Sequence, residues 1–317
     1  MNAIAIRRYA ADGAAEWNAF VRGSRNGTFL FDRGFMDYHA DRFDDHSLIF
    51  EDRGRMIAVL PAHVRDAELV SHAGLTYGGL VLDPRATLAT VHQCFDALLA
   101  YIREKALRRL VYKTIPSIYH RQPSDDDRHA LFVRGAALHR RDVLLTIDQA
   151  ERGVVQERRT RARKLASRSG LMVRDSDDYA AYWQVLSENL RAKYDTTPVH
   201  TLDEIRLLAA HFPENIRLTV CTSDDQILAG VVVFVTDRVA HLQYIGSSAE
   251  GRERGALDAV FAHLLDVWRD KRYVDFGMAS EDNGRMLNEG LVAFKEGFGA
   301  RTIVHDHYTL DIAEERT

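Results

Sequence analysis

The chain has 317 residues, 46% of them hydrophobic and 28% charged, with a net charge of −4. This is the composition of a soluble globular protein, and its length predicts two domains of roughly 150 residues, 1–150 and 151–317. The acidic balance gives no global attraction to DNA or to an anionic membrane, and two cysteines cannot build a disulfide framework.

The first residues, Met1 to Arg8, lack the apolar core of a signal peptide. The longest apolar run, Ile227 to Val235, is about half of what a membrane helix needs. A cytoplasmic protein without membrane insertion is the expectation. Ile4 to Tyr9 reads as a short strand and Ala14 to Arg22 as a helix. In the amphipathic stretch around Phe31 to Phe43, the aromatics Phe29, Phe31, Phe35, Tyr38 and Phe43 read first as packing between helices and second as a pocket lining. Ser47 to Val64 predicts a hairpin that turns at Asp52-Arg53-Gly54-Arg55. Tyr77-Gly78-Gly79 leads through Asp83-Pro84-Arg85 into a helix marked by Val91, Phe95, Leu98, Leu99 and Ile102, with Cys94 on the same face. The strand Arg109 to Tyr112 follows, then a loop at Asp125-Asp126-Asp127 and a strand from Asp142 to Ile147. The domain boundary falls near Asp148 to Gly153.

The second half opens with seven basic residues, Arg152, Arg158, Arg159, Arg161, Arg163, Lys164 and Arg168. They form either a solvated helical face or a phosphate contact. Two helices follow, around Trp183 to Arg191 and Leu202 to His211, and Thr201 with Glu204 predicts a capping box on the second. The loop between them, Lys193 to His200, joins ionisable groups with a proline. Loops of that kind line binding sites, so Tyr194 and Asp195 are candidate substrate contacts. Arg217 to Val235 repeats the strand, acidic turn and strand of the first hairpin.

Val239 to Ile245 is a strand, Gly246 to Gly255 a glycine-punctuated turn, Ala256 to Trp268 an amphipathic helix and Tyr273 to Phe276 a second strand. Strand, glycine turn and helix together aim backbone N–H groups at an anion. Gly246, Ser247, Gly251, Arg252, Gly255 and Ala256 are therefore candidate cofactor contacts. Hairpin, turn, helix and strand occur twice along the chain, which argues for tandem copies of one domain. The first copy has Asp83-Pro84 in place of the glycine turn. Proline removes a donor and the carboxylate repels phosphate. The second copy is thus the one expected to bind an anionic cofactor, with the first packing against it, shaping the acceptor cleft and offering Tyr77.

The residues Arg252 and Gly255 resemble the pyrophosphate loop of the GNAT N-acyltransferase superfamily, although Leu257 stands where that pattern has Gly or Ala. Phe294-Lys295-Glu296-Gly297-Phe298-Gly299 resembles the Phe-Lys-x-x-Phe-Gly signature of Fem-like proteins, which carry two GNAT-type domains. Arg158 to Lys164, leading to Ser169-Gly170, is similar to the link such proteins place before their second domain. The resemblance implies an α/β fold with mixed sheets in two tandem GNAT-like domains packed against each other. It implies transfer of an acyl group, most often acetyl, from acetyl-CoA or another acyl-CoA to an amino group of a small polar acceptor. The branch it resembles most is associated with bacterial surface polysaccharide synthesis, which implies a nucleotide-linked amino sugar as acceptor. Two other readings stay open: an aminoacyl-tRNA-dependent transferase acting on a cell-wall precursor, and a scaffold that binds an acyl donor or partner without turnover.

Acyl transfer to an amine needs a neutral amine, a stabilised oxyanion and a protonated leaving group, but no covalent nucleophile. Consistently, the sequence has no Gly-x-Ser-x-Gly elbow and no persuasive Cys/His pair. Candidate bases are Asp275, whose apolar strand would raise its pKa by burial, His200, and Glu281 just past the strand end. Asp275 reads equally as a structural carboxylate. The resemblance implies that Lys295 lies near the reacting carbonyl as oxyanion stabiliser, and Tyr244 is a candidate proton donor to the thiolate. Arg163 and Lys164 are candidate contacts to an acceptor's phosphates. His305 and His307 share one face of the strand Thr302 to Leu310, but no third ligand accompanies them, so no metal is expected. The glycine spacing also disfavours a dinucleotide fold.

Overall fold

The computed structural model describes residues 4–312. The chain forms two compact units: Met1–Asp142 with Asp282–Met286 and Val304–Thr317, and Val143–Glu281 with Leu287–Ile303.

Unit 1 contains β1 (Ala5–Arg8), α1 (Ala14–Gly23), β2 (Leu48–Asp52), β3 (Arg55–Leu60), β4 (His63–Arg65), β5 (Glu68–Val70), β6 (Val81–Leu82), α2 (Leu88–Glu104), β7 (Arg109–Lys113), α3 (Asp126–Val133) and the start of β8 (Ala137–Asp148). One sheet runs β1-β2-β3-β6. In another, β4 is antiparallel to β5 and β5 is parallel to β7. Helix α2 buries Val91, Cys94, Phe95, Leu98 and Ile102. They meet Leu48, Phe50, Leu60 and Tyr112 in one apolar core. The aspartates expected in a loop instead begin α3, with Asp126 and Asp127 in its first turn. Acids there complement the partial positive charge of a helix start.

Unit 2 holds the end of β8, α4 (Glu157–Arg168), β9 (Met172–Ser176), α5 (Tyr179–Tyr194), α6 (Leu202–His211), β10 (Ile216–Ser223), β11 (Gln226–Val235), β12 (Val239–Ser247), α7 (Ala249–Glu253), α8 (Ala256–Val267), β13 (Tyr273–Met278) and α9 (Glu289–Glu296). Its strands run β8-β13-β12-β11-β10-β9. All neighbours are antiparallel except β12 and β13. The long apolar run is the central strand β11, buried from Ile227 onward. Strands covered on both faces need no polar alternation. Helix α6 starts with the capping box of Thr201 and Glu204. The last strand of the chain, β14 (Arg301–Asp311), enters unit 1 at Val304, and within unit 1 its His307–Asp311 pair with β7. Among the described residues, no helix is long and apolar enough to cross a membrane.

The aromatics around Lys295 belong to the unit 2 core. Phe261 of α8 meets the rings of Phe276, Phe294 and Phe298 at 5.0–5.8 Å, all edge-on, an arrangement that suits ring quadrupoles. Gly299, at φ +92, lies so close to Gly153 that a Cβ would come within 2.7 Å of the Gly153 carbonyl oxygen.

Candidate active site

Parallel strands β12 and β13 pair only over Val239–His241 and Tyr273–Asp275. Beyond those residues β12 continues to Ser247 and β13 to Met278 without pairing to each other. The two strands therefore part there as a fork. Gln243 is an extra residue in the ladder with β11, where Val233 pairs with Leu242 and Val232 with Tyr244. Such a bulge re-aims side chains. Leu242 enters the core, whereas the Tyr244 ring contacts Trp183 of α5 and His200.

Two hydrogen-bonded groups lie along this strand. At the fork, fully buried Asp275 accepts from Thr146 Oγ1 (3.2 Å), the Gly277 amide (2.9 Å) and His241 Nδ1 (2.8 Å). His241 Nε2 lies 3.1 Å from Gln243 Oε1. The Tyr244 hydroxyl accepts from the His200 backbone N–H (3.2 Å) and contacts His200 Nδ1. His241 thus bridges the Asp275 carboxylate and the Gln243 side chain.

Burial does push the Asp275 carboxyl upward, as its apolar strand suggests. The His241 hydrogen bond and charge, the Gly277 amide and the Lys295 charge outweigh that push and hold it below the ordinary value. Burial pushes the Tyr244 phenol up to about 12, so it stays protonated at neutral pH. Lys295 is only 2% exposed, and its ammonium donates to the carbonyls of Gly277 (3.0 Å) and Met278 (2.7 Å). It braces the end of β13, where Gly277 turns at φ +70. Burial lowers its pKa to about 8, against the attraction of Asp275. Glu281 is exposed beyond β13 and accepts from Asn288 Nδ2 at 2.7 Å.

The glycine turn after β12 folds into α7, with Ser248 Oγ accepting the Gly251 amide at 3.0 Å. Gly251 and Gly255 permit close backbone packing. A Cβ on Gly251 would lie 2.4 Å from the Leu228 carbonyl oxygen, and one on Gly255 (φ +72) 2.4 Å from that of Ala162 in α4. Arg159 of α4 also pairs with Asp258 in the first turn of α8 at 3.0 Å. Gly246, Ser247, Gly251, Gly255 and Ala256 are all buried, and Arg252 alone of the six expected cofactor contacts is exposed. The Arg252 guanidinium donates to the Ser247 carbonyl (2.8 Å) and to Asn189 (3.3 Å). Lys193, one turn beyond Asn189 on α5, lies close enough that burial and the Arg252 charge lower its pKa.

The fold thus joins Tyr244 to His200 and, separately, Asp275 to His241 and Gln243, two residues absent from the sequence-derived candidates. Their signal was present, since they are polar residues two apart in an otherwise apolar strand. Asp195 ends α5 in a left-handed conformation and is exposed, as are Arg163 and Lys164 on α4. The Tyr194 side chain lies outside the described residues. Tyr77 is buried within unit 1, where its hydroxyl donates to Thr28 at 2.9 Å and its ring packs on Phe31 and Tyr119.

Residues 152–285 match the family described as Acetyltransferase (GNAT) domain. Comparison with curated protein sequences finds no match. Among solved structures, FemX aligns over 95% of this chain and 96% of its own at TM-score 0.66 and 11% identity. L-PGS from Bacillus licheniformis aligns over 98% and 94% at 0.62 and 14%. A tandem GNAT protein from the clavulanic acid biosynthesis pathway aligns over 98% and 99% at 0.50 and 13%. At these identities the likeness establishes the fold, that of Fem-like tandem GNAT proteins.

Proposed function

We propose that this chain, an acyltransferase with a GNAT domain over residues 152–285, transfers an acyl group from acyl-CoA at the fork of β12 and β13. Acetyl-CoA is the first donor to test, and the acceptor is the amino group of a small polar molecule. The observation that carries the reading is the fork itself, with the His241–Asp275 pair at its base. Beyond the β12 arm, Arg252 and Lys193 adjoin, the Arg252 charge helping to lower the Lys193 pKa. Two adjoining cations suit a pyrophosphate.

In the reaction the amine nitrogen attacks the thioester carbonyl, a C–N bond forms, the C–S bond breaks, and a proton passes from amine to base while another reaches the departing sulfur. His241, held by Asp275, is the proton donor to the leaving group. The Tyr244 phenol holds His200 beside the β12 arm. Exposed Glu281 is the base for the amine. Lys295 positions the end of β13, and its charge is the support for the oxyanion that the Fem-like resemblance implies. The acceptor is read as a nucleotide-linked amino sugar of surface polysaccharide synthesis, with Arg163, Lys164 and Asp195 as polar contacts. An acyl-CoA donor places the reaction in the cytoplasm.

The test is thermal unfolding of the full chain with acetyl-CoA, CoA and a long-chain acyl-CoA. A ligand at 100 times its Kd adds about 2.7 kcal/mol and raises the midpoint by several degrees. Stabilisation that Arg252→Glu removes supports the reading, and no shift with any CoA species overturns it. A second reading, transfer from an aminoacyl-tRNA, is favoured by the fold shared with FemX and L-PGS, by the buried glycine turn, and by the exposed Arg161, Arg163, Lys164 and Arg168 on α4. It predicts tRNA affinity that falls steeply with salt and that Arg163→Glu with Lys164→Glu weakens.

A further inference from the structure

We propose that unit 1 carries a transition-metal site, suited to Zn²⁺, formed by Asp142, His305 and His307. Each offers one donor atom, and the three atoms lie within 4.8 Å of one another. His305 and His307 stand two apart on β14 and so share a face, while Asp142 comes from the neighbouring strand β8. The carboxylate was invisible as a partner in the sequence because only strand pairing brings it to the histidines.

Three details separate this cluster from an ordinary buried network. First, His307 Nε2 is buried without a hydrogen-bond partner, which in a native interior calls for an explanation. Second, it lies 3.4 Å from Asp142 Oδ2. That is long for a hydrogen bond but equals the edge, about 3.4 Å, of a tetrahedron with bonds near 2.0–2.1 Å to zinc. Third, His305 Nε2 lies 2.8 Å from the Thr114 carbonyl oxygen. Donation of Nε2–H to a carbonyl is how metal-bound imidazoles are oriented, and it leaves the lone pair on Nδ1.

Two imidazoles and a carboxylate are a donor set that zinc accepts, with a fourth position left for solvent. Arg140 Nε donates to Asp142 Oδ2 at 2.8 Å and orients the carboxylate. Lys113, the other cation at the cluster, is directed away to the Leu75 carbonyl. The proposal is independent of the acyl-transfer reading, because every group it uses lies in unit 1.

The test uses tag-free, chelator-treated full-length protein at fixed pH 7.5, titrated with Zn²⁺ by calorimetry and with Co²⁺ by visible absorption. One equivalent bound with a Kd of about 1 µM or tighter, and intense tetrahedral Co²⁺ bands, are expected. Asp142→Asn, His305→Ala and His307→Gln should each weaken binding by at least about tenfold, whereas His211→Ala on exposed α6 should not. His307→Gln is the decisive variant, since this half-buried side chain is the one most easily replaced without unfolding; circular dichroism verifies its fold. Absence of stoichiometric binding, or binding that His307→Gln leaves unchanged in a folded protein, overturns the site.

Discussion

Asp275→Asn isolates the charge at the base of the fork. Asparagine keeps an oxygen for Thr146 Oγ1 and the Gly277 amide, so the bonds of 3.2 Å and 2.9 Å survive. What disappears is the negative charge that faces His241 Nδ1 at 2.8 Å, on a side chain only 12% exposed. Removing a buried charged acceptor from its donor costs about 3 kcal/mol. With both neutral bonds retained, about 3 kcal/mol is expected here. The loss should be largely absent when His241 is asparagine as well, giving a coupling of about 1.5–3 kcal/mol. Urea unfolding at pH 7, followed by the fluorescence of Trp183 and Trp268, both in unit 2, measures all four corners of the cycle. A single-variant loss below about 1 kcal/mol, or additivity within about 0.5 kcal/mol, would refute the coupling of Asp275 to His241.

Three further predictions concern the same site. Lys295 releases its proton near pH 8 in the folded chain but near 10.5 when unfolded. Between those values the unfolded chain binds more protons, so stability relative to Lys295→Met rises with pH, by about 3 kcal/mol across the window. Parallel urea stabilities of the two proteins at pH 8 and 10.5 would contradict this. Tyr244→Phe should cost about 1–3 kcal/mol by stranding His200, and His200→Ala should add little on that background; thermal unfolding of the double variant checks the coupling. Gly255→Ala meets both a left-handed backbone, about 1–2 kcal/mol, and the Ala162 carbonyl oxygen at 2.4 Å. A midpoint within 2 °C of the parent would show that α4 does not seal this turn.

Local patterns carried much of the fold. Apolar periodicity marks α2 and α8, the Thr201/Glu204 spacing marks the start of α6, and the repeated hairpin, helix and strand mark two copies. The site was less legible because its contacts are distant in sequence. Asp275 looked like a buried acid of raised pKa, and the sequence alone cannot show that register sets His241 directly opposite it. The glycine turn read as an open anion loop. Its glycines instead let α7 and α8 approach β11 and α4, a role that depends on where α4 packs. Lys193 stood in a loop noted for its ionisable groups, but only the length of α5 brings it to Arg252.

The central claim, a donor site in the fork of unit 2, is tested most directly by hydrogen–deuterium exchange with and without saturating acetyl-CoA. The account predicts slowed exchange at residues 242–255 and 276–281, lost in Arg252→Glu. Unchanged exchange in both segments, or protection confined to unit 1, would contradict it.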